Sequence, residues 1–144
     1  GRPRVITYDK LRKSLRHLRV QFANYQRLDE RDDLTELDKE AIAESVIHRF
    51  ETCYDTMWKD LRRYLIGEMG LPEVPNSPKP VLRLAAENHL LSNRIEEWLR
   101  YADARTATSH DYSGEKAAEC LNLMGAFIND AVDLSQKLTG MSRE

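Results

Sequence analysis

The sequence predicts an all-α protein, an antiparallel up-down four-helix bundle with one short extra helix. Two long segments, from Arg4 to Ile66 and from Val81 to Ser113, contain no Gly or Pro and are rich in Leu, Glu, Arg and Ala. A β-sheet needs turn residues about every 8–12 residues, so these segments fit helices and not strands. Four of the five prolines fall between Pro72 and Pro80, which marks one connection within the bundle. The length of 144 residues fits a single domain over residues 1–144.

Apolar side chains at intervals of three and four residues predict the first helix, from Tyr8 to Leu28. The members of this stripe are Leu11, Leu15, Leu18, Phe22 and Tyr25. A polar run over residues 29–33 ends the helix, and acidic residues gather over residues 36–40, where the positive end of a helix dipole favours them. A second helix of roughly 30 residues is expected from there to Gly67.

Capping residues predict where three further helices begin: Ser77 with Pro78, Ser92 or Asn93, and Ser113 with Glu115. The first of these helices is short and ends near Asn88. It follows a proline-containing connector over residues 71–80. The second runs towards His110. The third ends at Gly140, a residue suited to the left-handed conformation that commonly follows a helix.

The composition describes a soluble globular protein, with 41% apolar and 32% charged residues. No apolar run approaches the roughly 18 residues that a membrane span needs, and the N-terminus lacks an apolar signal region. No membrane association and a cytoplasmic location are therefore expected. Cys53 and Cys120 both lie in apolar helical patterns and are expected to be buried free thiols, with a disulfide or a reactive thiol as the alternatives.

Charge is distributed unevenly along the chain. Residues 1–20 carry seven Lys or Arg against Asp9 alone, which gives +6, and residues 29–44 carry eight acids against two basic residues, which gives −6. On the first helix, Arg12, Arg16 and Arg19 share one face and are placed to follow nucleic-acid phosphates. The alternative is a solvated face that the acidic segment balances, in the fold or in a partner.

One segment carries residue types suited to chemistry: Arg105, His110 and Tyr112 form an R-x4-H-x-Y pattern. The sequence contains no HExxH motif, no Gly-rich phosphate loop and no GxSxG motif, and we expect no metal site. A histidine titrates near neutral pH and can take the proton of a ribose 2′-hydroxyl, while an arginine can stabilise the charge that develops on the phosphate. These residue types suit metal-independent RNA cleavage.

From Glu97 to Tyr112, and in the order and length of its predicted helices, the sequence resembles the HEPN superfamily. Within it, the sequence is similar to the nucleotidyltransferase substrate-binding proteins close to the HepT-like toxins. This resemblance implies a helical homodimer encoded beside a minimal nucleotidyltransferase. It implies that Arg105 and His110 of both protomers form a metal-independent RNase site in the dimer cleft, and that the nucleotidyltransferase adds AMP to Tyr112 to silence it. The alternative for Tyr112 is a side chain tucked into the bundle near the helix end.

Geometry on a continuous helix is consistent with a two-copy site. Arg105 and His110 would lie about 140° apart around such a helix, so one chain cannot aim both at one point, and a two-fold dimer relieves this. Asp103 would lie nearly above His110 and would orient its imidazole, with an ordinary surface acid as the alternative. Thr106 and Ser109 lie beside the pair and are further candidate supporting residues.

Thr106 departs from the pattern of the toxins, which often carry Asn, Asp or His at that place. Weaker or absent RNase activity is consistent with this departure, and a second hypothesis is a non-catalytic subunit that binds nucleotide or substrate for a two-component nucleotidyltransferase. A purely structural helical protein is the third. The chain itself is expected to need no cofactor, because ATP and Mg²⁺ would belong to the partner nucleotidyltransferase, and RNA is the expected target of the toxin activity.

Overall fold

The computed structural model describes residues 6–140, and the regular structure in that range is entirely helical. The helices are α1 (Asp9–Gln26), α2 (Glu36–Gly67), α3 (Pro78–Glu87), α4 (Ile95–Ala107) and α5 (Gly114–Thr139), with one 3₁₀ turn at Leu28–Glu30. The predicted all-α class is confirmed. Within residues 6–140, no helix is long and apolar enough to cross a lipid bilayer.

The four long helices form the bundle, and α3 is the short extra helix. Helix α1 packs on α2 and α5, α4 packs on α5 and α2, and α3 packs against α2 and α4. Helices α4 and α5 are antiparallel, because Tyr101 bonds Asp130 while Lys137, further along α5, donates to the carbonyl of Leu90, which precedes α4. The architecture places α2 between α1 on one side and α4 on the other.

Aromatic side chains from three helices meet in the core. The rings of Phe50 and Phe127 pack edge to face at 4.9 Å between centroids, and Tyr101 packs on Phe127 at 5.2 Å. Such pairs add about 0.5–1.5 kcal/mol each beyond the apolar area that they bury. Trp98 is fully buried beside them, whereas Trp58 is half-buried at the edge of the core.

Both cysteines are buried free thiols, as predicted. Burial raises the pKa of Cys53 and of Cys120 to about 12. At neutral pH both side chains therefore remain thiols, and the thiolate that reacts with electrophiles or disulfides is scarce.

Most helix ends agree with the sequence prediction. Ser77 and Ser113 occupy the N-cap positions of α3 and α5, and Gly140 ends α5 in the left-handed conformation, with φ of 68°. Its N–H donates to the carbonyl of Gln136 at 2.7 Å, which satisfies one of the carbonyls left free at the helix end. The second helix begins with a capping box between Thr35 and Asp38.

The predicted cap of the fourth helix was wrong. Arg94, and not Ser92 or Asn93, is the N-cap residue of α4. The amide of Asn93 instead donates to Asp130 on α5 at 3.1 Å. The Asn93 side chain, which was predicted to cap α4, therefore makes a tertiary contact with α5.

The end of α4 is also earlier than a helix running towards His110 requires. The helix stops at Ala107, and Thr106, Thr108 and Ser109 at this end each donate a hydroxyl hydrogen bond to the backbone carbonyl four residues before. Side chains of this kind compete with the helical hydrogen-bond ladder and favour helix ends. His110 thus lies in the connection to α5, and the 140° separation expected on one continuous helix does not apply.

Candidate functional site

Arg105 is held in the last turn of α4 by two carboxylates of α2. Its Nε and Nη2 donate to the two oxygens of Asp55, both at 3.1 Å, and its Nη1 donates to Glu51 Oε2 at 2.9 Å. Nη1 also donates to Ser109 Oγ at 3.1 Å. These bonds use four of the five guanidinium N–H groups, and chiefly the bond to Asp55 raises the pKa of Arg105. The arginine is therefore fixed in orientation.

Tyr112 reaches the same buried carboxylate from the connection between α4 and α5. Its hydroxyl donates to Glu51 Oε1, the oxygen that Arg105 does not use. Glu51 is only 8% exposed, and Thr108 donates to it at 3.3 Å. Burial, followed by the hydrogen bond to Glu51 and the charge of that carboxylate, raises the pKa of Tyr112 to about 12. The phenol is thus protonated at neutral pH and already oriented towards a proton acceptor.

The cluster formed by Glu51, Asp55, Arg105 and Tyr112 has a formal charge of −1, because two carboxylates face one guanidinium. Both carboxylates compete with any phosphate for Arg105. As it stands in one chain, the cluster is better suited to hold the protonated phenol of Tyr112 than to bind a phosphate group.

A cavity of about 400 Å³ opens beside Arg105, between α2, α3 and α4. Its lining includes Lys79 and Ser77 from the start of α3, Thr106 and Ser109 from the end of α4, and Tyr54 from α2. The hydroxyl of Tyr54 is buried and has no hydrogen-bond partner in the described chain. The cavity is polar on several sides and adjoins the cluster.

The remaining predicted site residues lie close by in the chain but not all join the cluster. His110 is exposed and has no hydrogen-bond or ion-pair partner among residues 6–140. Asp103 forms an ion pair with Lys79 at 2.6 Å. Its predicted position above His110 is not found, because α4 ends before His110. Ser109 touches Arg105, whereas Thr106 lines the neighbouring cavity.

Sequence reasoning missed Glu51 and Asp55. Both lie on α2, 54 and 50 residues before Arg105. One signal was present, since Glu51 falls between Phe50 and Cys53 in an apolar helix stripe, and a buried carboxylate requires a partner. Within residues 6–140, no group of three or more His, Cys, Asp or Glu side chains is arranged to hold a metal ion.

A family model described as "nucleotidyltransferase substrate binding protein like" matches residues 6–140. The chain belongs to this family. The match covers all of the described residues and confirms the family that the sequence resembles. No protein of curated function matches the sequence.

Two solved structures are similar to this family member. The Haemophilus influenzae protein HI0074, described as showing the fold of a substrate binding domain of a nucleotidyltransferase, superposes with a TM-score of 0.82 at 21% identity. The superposition covers 92% of this chain and 99% of HI0074. A Thermus thermophilus protein superposes with a TM-score of 0.63 at 26% identity, over 84% of this chain and 98% of that protein. The bundle is thus the fold of this family.

Proposed function

We propose that this protein is the acceptor subunit of a two-component nucleotidyltransferase, and that the partner enzyme transfers AMP from ATP to Tyr112. Family membership supports a nucleotidyltransferase partner. The observation that carries the proposal is the hydrogen bond from the Tyr112 hydroxyl to the buried carboxylate of Glu51.

The chemistry of transfer follows from this contact. The Tyr112 oxygen attacks the α-phosphorus of ATP, a phosphodiester bond forms, and the bond to pyrophosphate breaks. The phenol proton passes to Glu51, which is necessary because the pKa of Tyr112 is raised to about 12 and little phenolate is present at neutral pH. The ATP and Mg²⁺ site belongs to the partner in this scheme, and this chain contributes the nucleophile and the base.

Transfer also changes the state of Arg105. AMP-Tyr112 has no proton to donate to Glu51, and its phosphate adds a negative charge close to a carboxylate that is already buried. Repulsion moves the modified side chain away from Glu51 and towards solvent. Glu51 Oε1 then loses its donor, so modification changes the carboxylate that holds Arg105.

The test uses the purified protein, the nucleotidyltransferase encoded beside it, Mg²⁺, and ATP labelled on either the α- or the γ-phosphate. Nucleotidyl transfer predicts label in the protein from α-labelled ATP only, and none in Tyr112→Phe. The matched control is Tyr25→Phe, a half-buried tyrosine on α1. Label from γ-labelled ATP, or full labelling of Tyr112→Phe, contradicts the proposal.

A second candidate function is metal-independent RNA cleavage by Arg105 and His110, which modification of Tyr112 would silence. The exposed imidazole of His110 supports it, since a side chain without a partner in the described chain is available to take a proton from RNA. Each chain commits four of the five Arg105 N–H groups to its own side chains, so this candidate requires RNA phosphate to displace some of these bonds in a site that two protomers share.

Complementation between two inactive variants tests this candidate. His110→Ala and Arg105→Ala should each lack RNase activity in the presence of a metal chelator. Mixed dimers of the two variants carry one intact histidine and one intact arginine, and regain activity if opposite protomers contribute them. Unchanged cleavage by His110→Ala contradicts the assignment.

A further inference from the structure

A basic groove runs along the outer seam between α1 and α2, on a different flank of α2 from Glu51. Two adjoining cavities of about 370 Å³ each form this groove and share His17 and Arg49. Positions 49, 52 and 56 of α2 line it, and lie about 100–160° around the helix from position 51. The groove is therefore separate from the Tyr112 cluster.

The charge of this basic groove has one sign. Its lining includes Lys10, Lys13, Arg16 and Arg49, all exposed, and contains no acidic residue. Within residues 6–140, no carboxylate forms an ion pair with any of these four side chains. A local charge of about +4 thus persists in a chain whose net charge is −2.

The environment of His17 also shows the positive charge of the basic groove. His17 Nδ1 lies 3.1 Å from Arg49 Nη1, and because a guanidinium only donates, the imidazole accepts there as a neutral group. Desolvation and then the charges of Arg49, Lys13 and Arg16 lower the pKa of His17. Among residues 6–140, no acid of the segment over residues 29–44 lines the basic groove or forms an ion pair with its cations.

By residue type, the lining resembles a surface for phosphate groups more than one for a protein. Hydroxyl side chains alternate with the cations: Ser14, Ser45, Thr52 and Thr56. Val20 is the one apolar lining residue, whereas protein interfaces bury an apolar centre from which lysine is depleted. Lysine, arginine and hydroxyl groups are the usual contacts to nucleic-acid phosphates.

The length of the basic groove also fits a nucleic-acid strand. From Lys10 to Gln21, α1 rises about 17 Å, which corresponds to about five phosphates of one strand at 3.4 Å along a duplex axis. No Phe, Tyr or Trp lines the groove, so none of these rings is placed there to stack on bases. We infer that the basic groove binds the phosphodiester backbone of nucleic acid without sequence preference. This inference does not depend on modification of Tyr112.

Fluorescence anisotropy of labelled oligonucleotides tests the inference with the full chain. The probes are single-stranded DNA, 2′-O-methyl RNA, which lacks the hydroxyl needed for cleavage, and a duplex of the same sequence. Four phosphate contacts predict a slope of log Kobs against log[salt] of about −3 for a single strand. Binding that does not weaken as salt is raised contradicts the inference.

The diagnostic variant is Lys13→Gln/Arg16→Gln, in which both side chains are exposed. Loss of two contacts predicts a slope of about −1.4 and binding weakened tenfold or more at about 50 mM salt. The charge-matched control is Arg83→Gln/Lys116→Gln, which alters two exposed cations outside the groove and should bind like the wild type. Equal weakening in both double variants overturns the inference.

Two further measurements separate the alternatives. Poly-glutamate that binds while all three nucleic-acid probes fail identifies the basic groove as a surface for an acidic protein and overturns the inference. AMP transfer to Tyr112 in the groove variant should proceed at the wild-type rate, because the two sites lie on different flanks of α2. Failure of nucleic-acid binding with normal transfer therefore rejects this inference alone.

Discussion

Tyr112 donates its hydroxyl proton to Glu51, a buried residue that lies 61 positions earlier in the chain. The other oxygen of the same carboxylate accepts from Arg105. One acid of α2 thus joins the proposed acceptor tyrosine to the arginine of the R-x4-H-x-Y pattern. A change in the protonation or modification of Tyr112 would therefore alter the carboxylate that accepts from Arg105.

Glu51→Gln should slow AMP transfer to Tyr112 by about 100-fold, because the amide still accepts the hydrogen bond but cannot take the proton. The rate is followed by intact-mass spectrometry at saturating partner enzyme and ATP. Glu87→Gln, an exposed acid at the end of α3, is the control and should react at the wild-type rate. Equal rates for Glu51→Gln and the wild type would remove Glu51 from the proton transfer.

Arg105→Ala should lower the free energy of unfolding by about 2 kcal/mol, because it leaves the buried Glu51 carboxylate without its cation. Asp55 is 40% exposed and contributes less. Urea unfolding at fixed protein concentration measures the free energy of unfolding of the wild type and of Arg105→Ala. A double-mutant cycle isolates the coupling energy between Arg105 and Asp55, which is expected at no more than about 1 kcal/mol. A loss of unfolding free energy below about 0.5 kcal/mol for Arg105→Ala would mean that the buried Glu51 carboxylate does not need the Arg105 cation for stability.

Spacing along the chain was sufficient to select Arg105, His110 and Tyr112, because the pattern that contains them is local. Glu51 and Asp55 come from another helix, and only the packing of α2 against α4 brings them to Arg105. The apolar stripe of α2 could indicate that Glu51 is buried. It could not indicate which partner neutralises it, because that depends on the tertiary fold.

The existence of the helices was predictable, but neither end of α4 was. Long apolar periodicity identified the helices, since it reflects which face of each one is buried. Three hydroxyl side chains between Thr106 and Ser109 lie at the end of α4, and their bonds to the preceding turn are of the kind that competes with helix continuation. Because α4 ends at Ala107, His110 lies off the helix and is not placed on it relative to Asp103.

Tyr112 should stabilise the fold in a pH-dependent way. Its pKa in the folded protein is raised to about 12 from an ordinary value of 10, so the stabilisation is complete below about pH 10 and is lost as pH rises towards 12. The difference in unfolding free energy between wild type and Tyr112→Phe should therefore shrink between about pH 9 and pH 11.5. A difference that stays constant over this range would show that the phenol is not held as the neutral donor.

Tyr101→Phe should cost about 1–2 kcal/mol of stability without changing AMP transfer. Tyr101 donates to Asp130 at 2.5 Å, and its loss leaves this buried carboxylate with Asn93. Thermal unfolding measures the loss, and Tyr25→Phe, on the outer part of α1, is the control expected to stay within about 0.5 kcal/mol of wild type. A large fall in the rate of AMP transfer to folded Tyr101→Phe would show that the Tyr101–Asp130 pair affects the Tyr112 cluster, and would contradict this prediction.

The most direct test of the central proposal is to locate the nucleotidyl group on the protein. Wild-type protein is incubated with the partner nucleotidyltransferase, ATP and Mg²⁺, digested, and sequenced by tandem mass spectrometry. One AMP is expected on the peptide that contains Tyr112, with fragment ions placing it on that residue. AMP on another residue while Tyr112 stays unmodified, or no transfer by a partner that is active on another substrate, would contradict it.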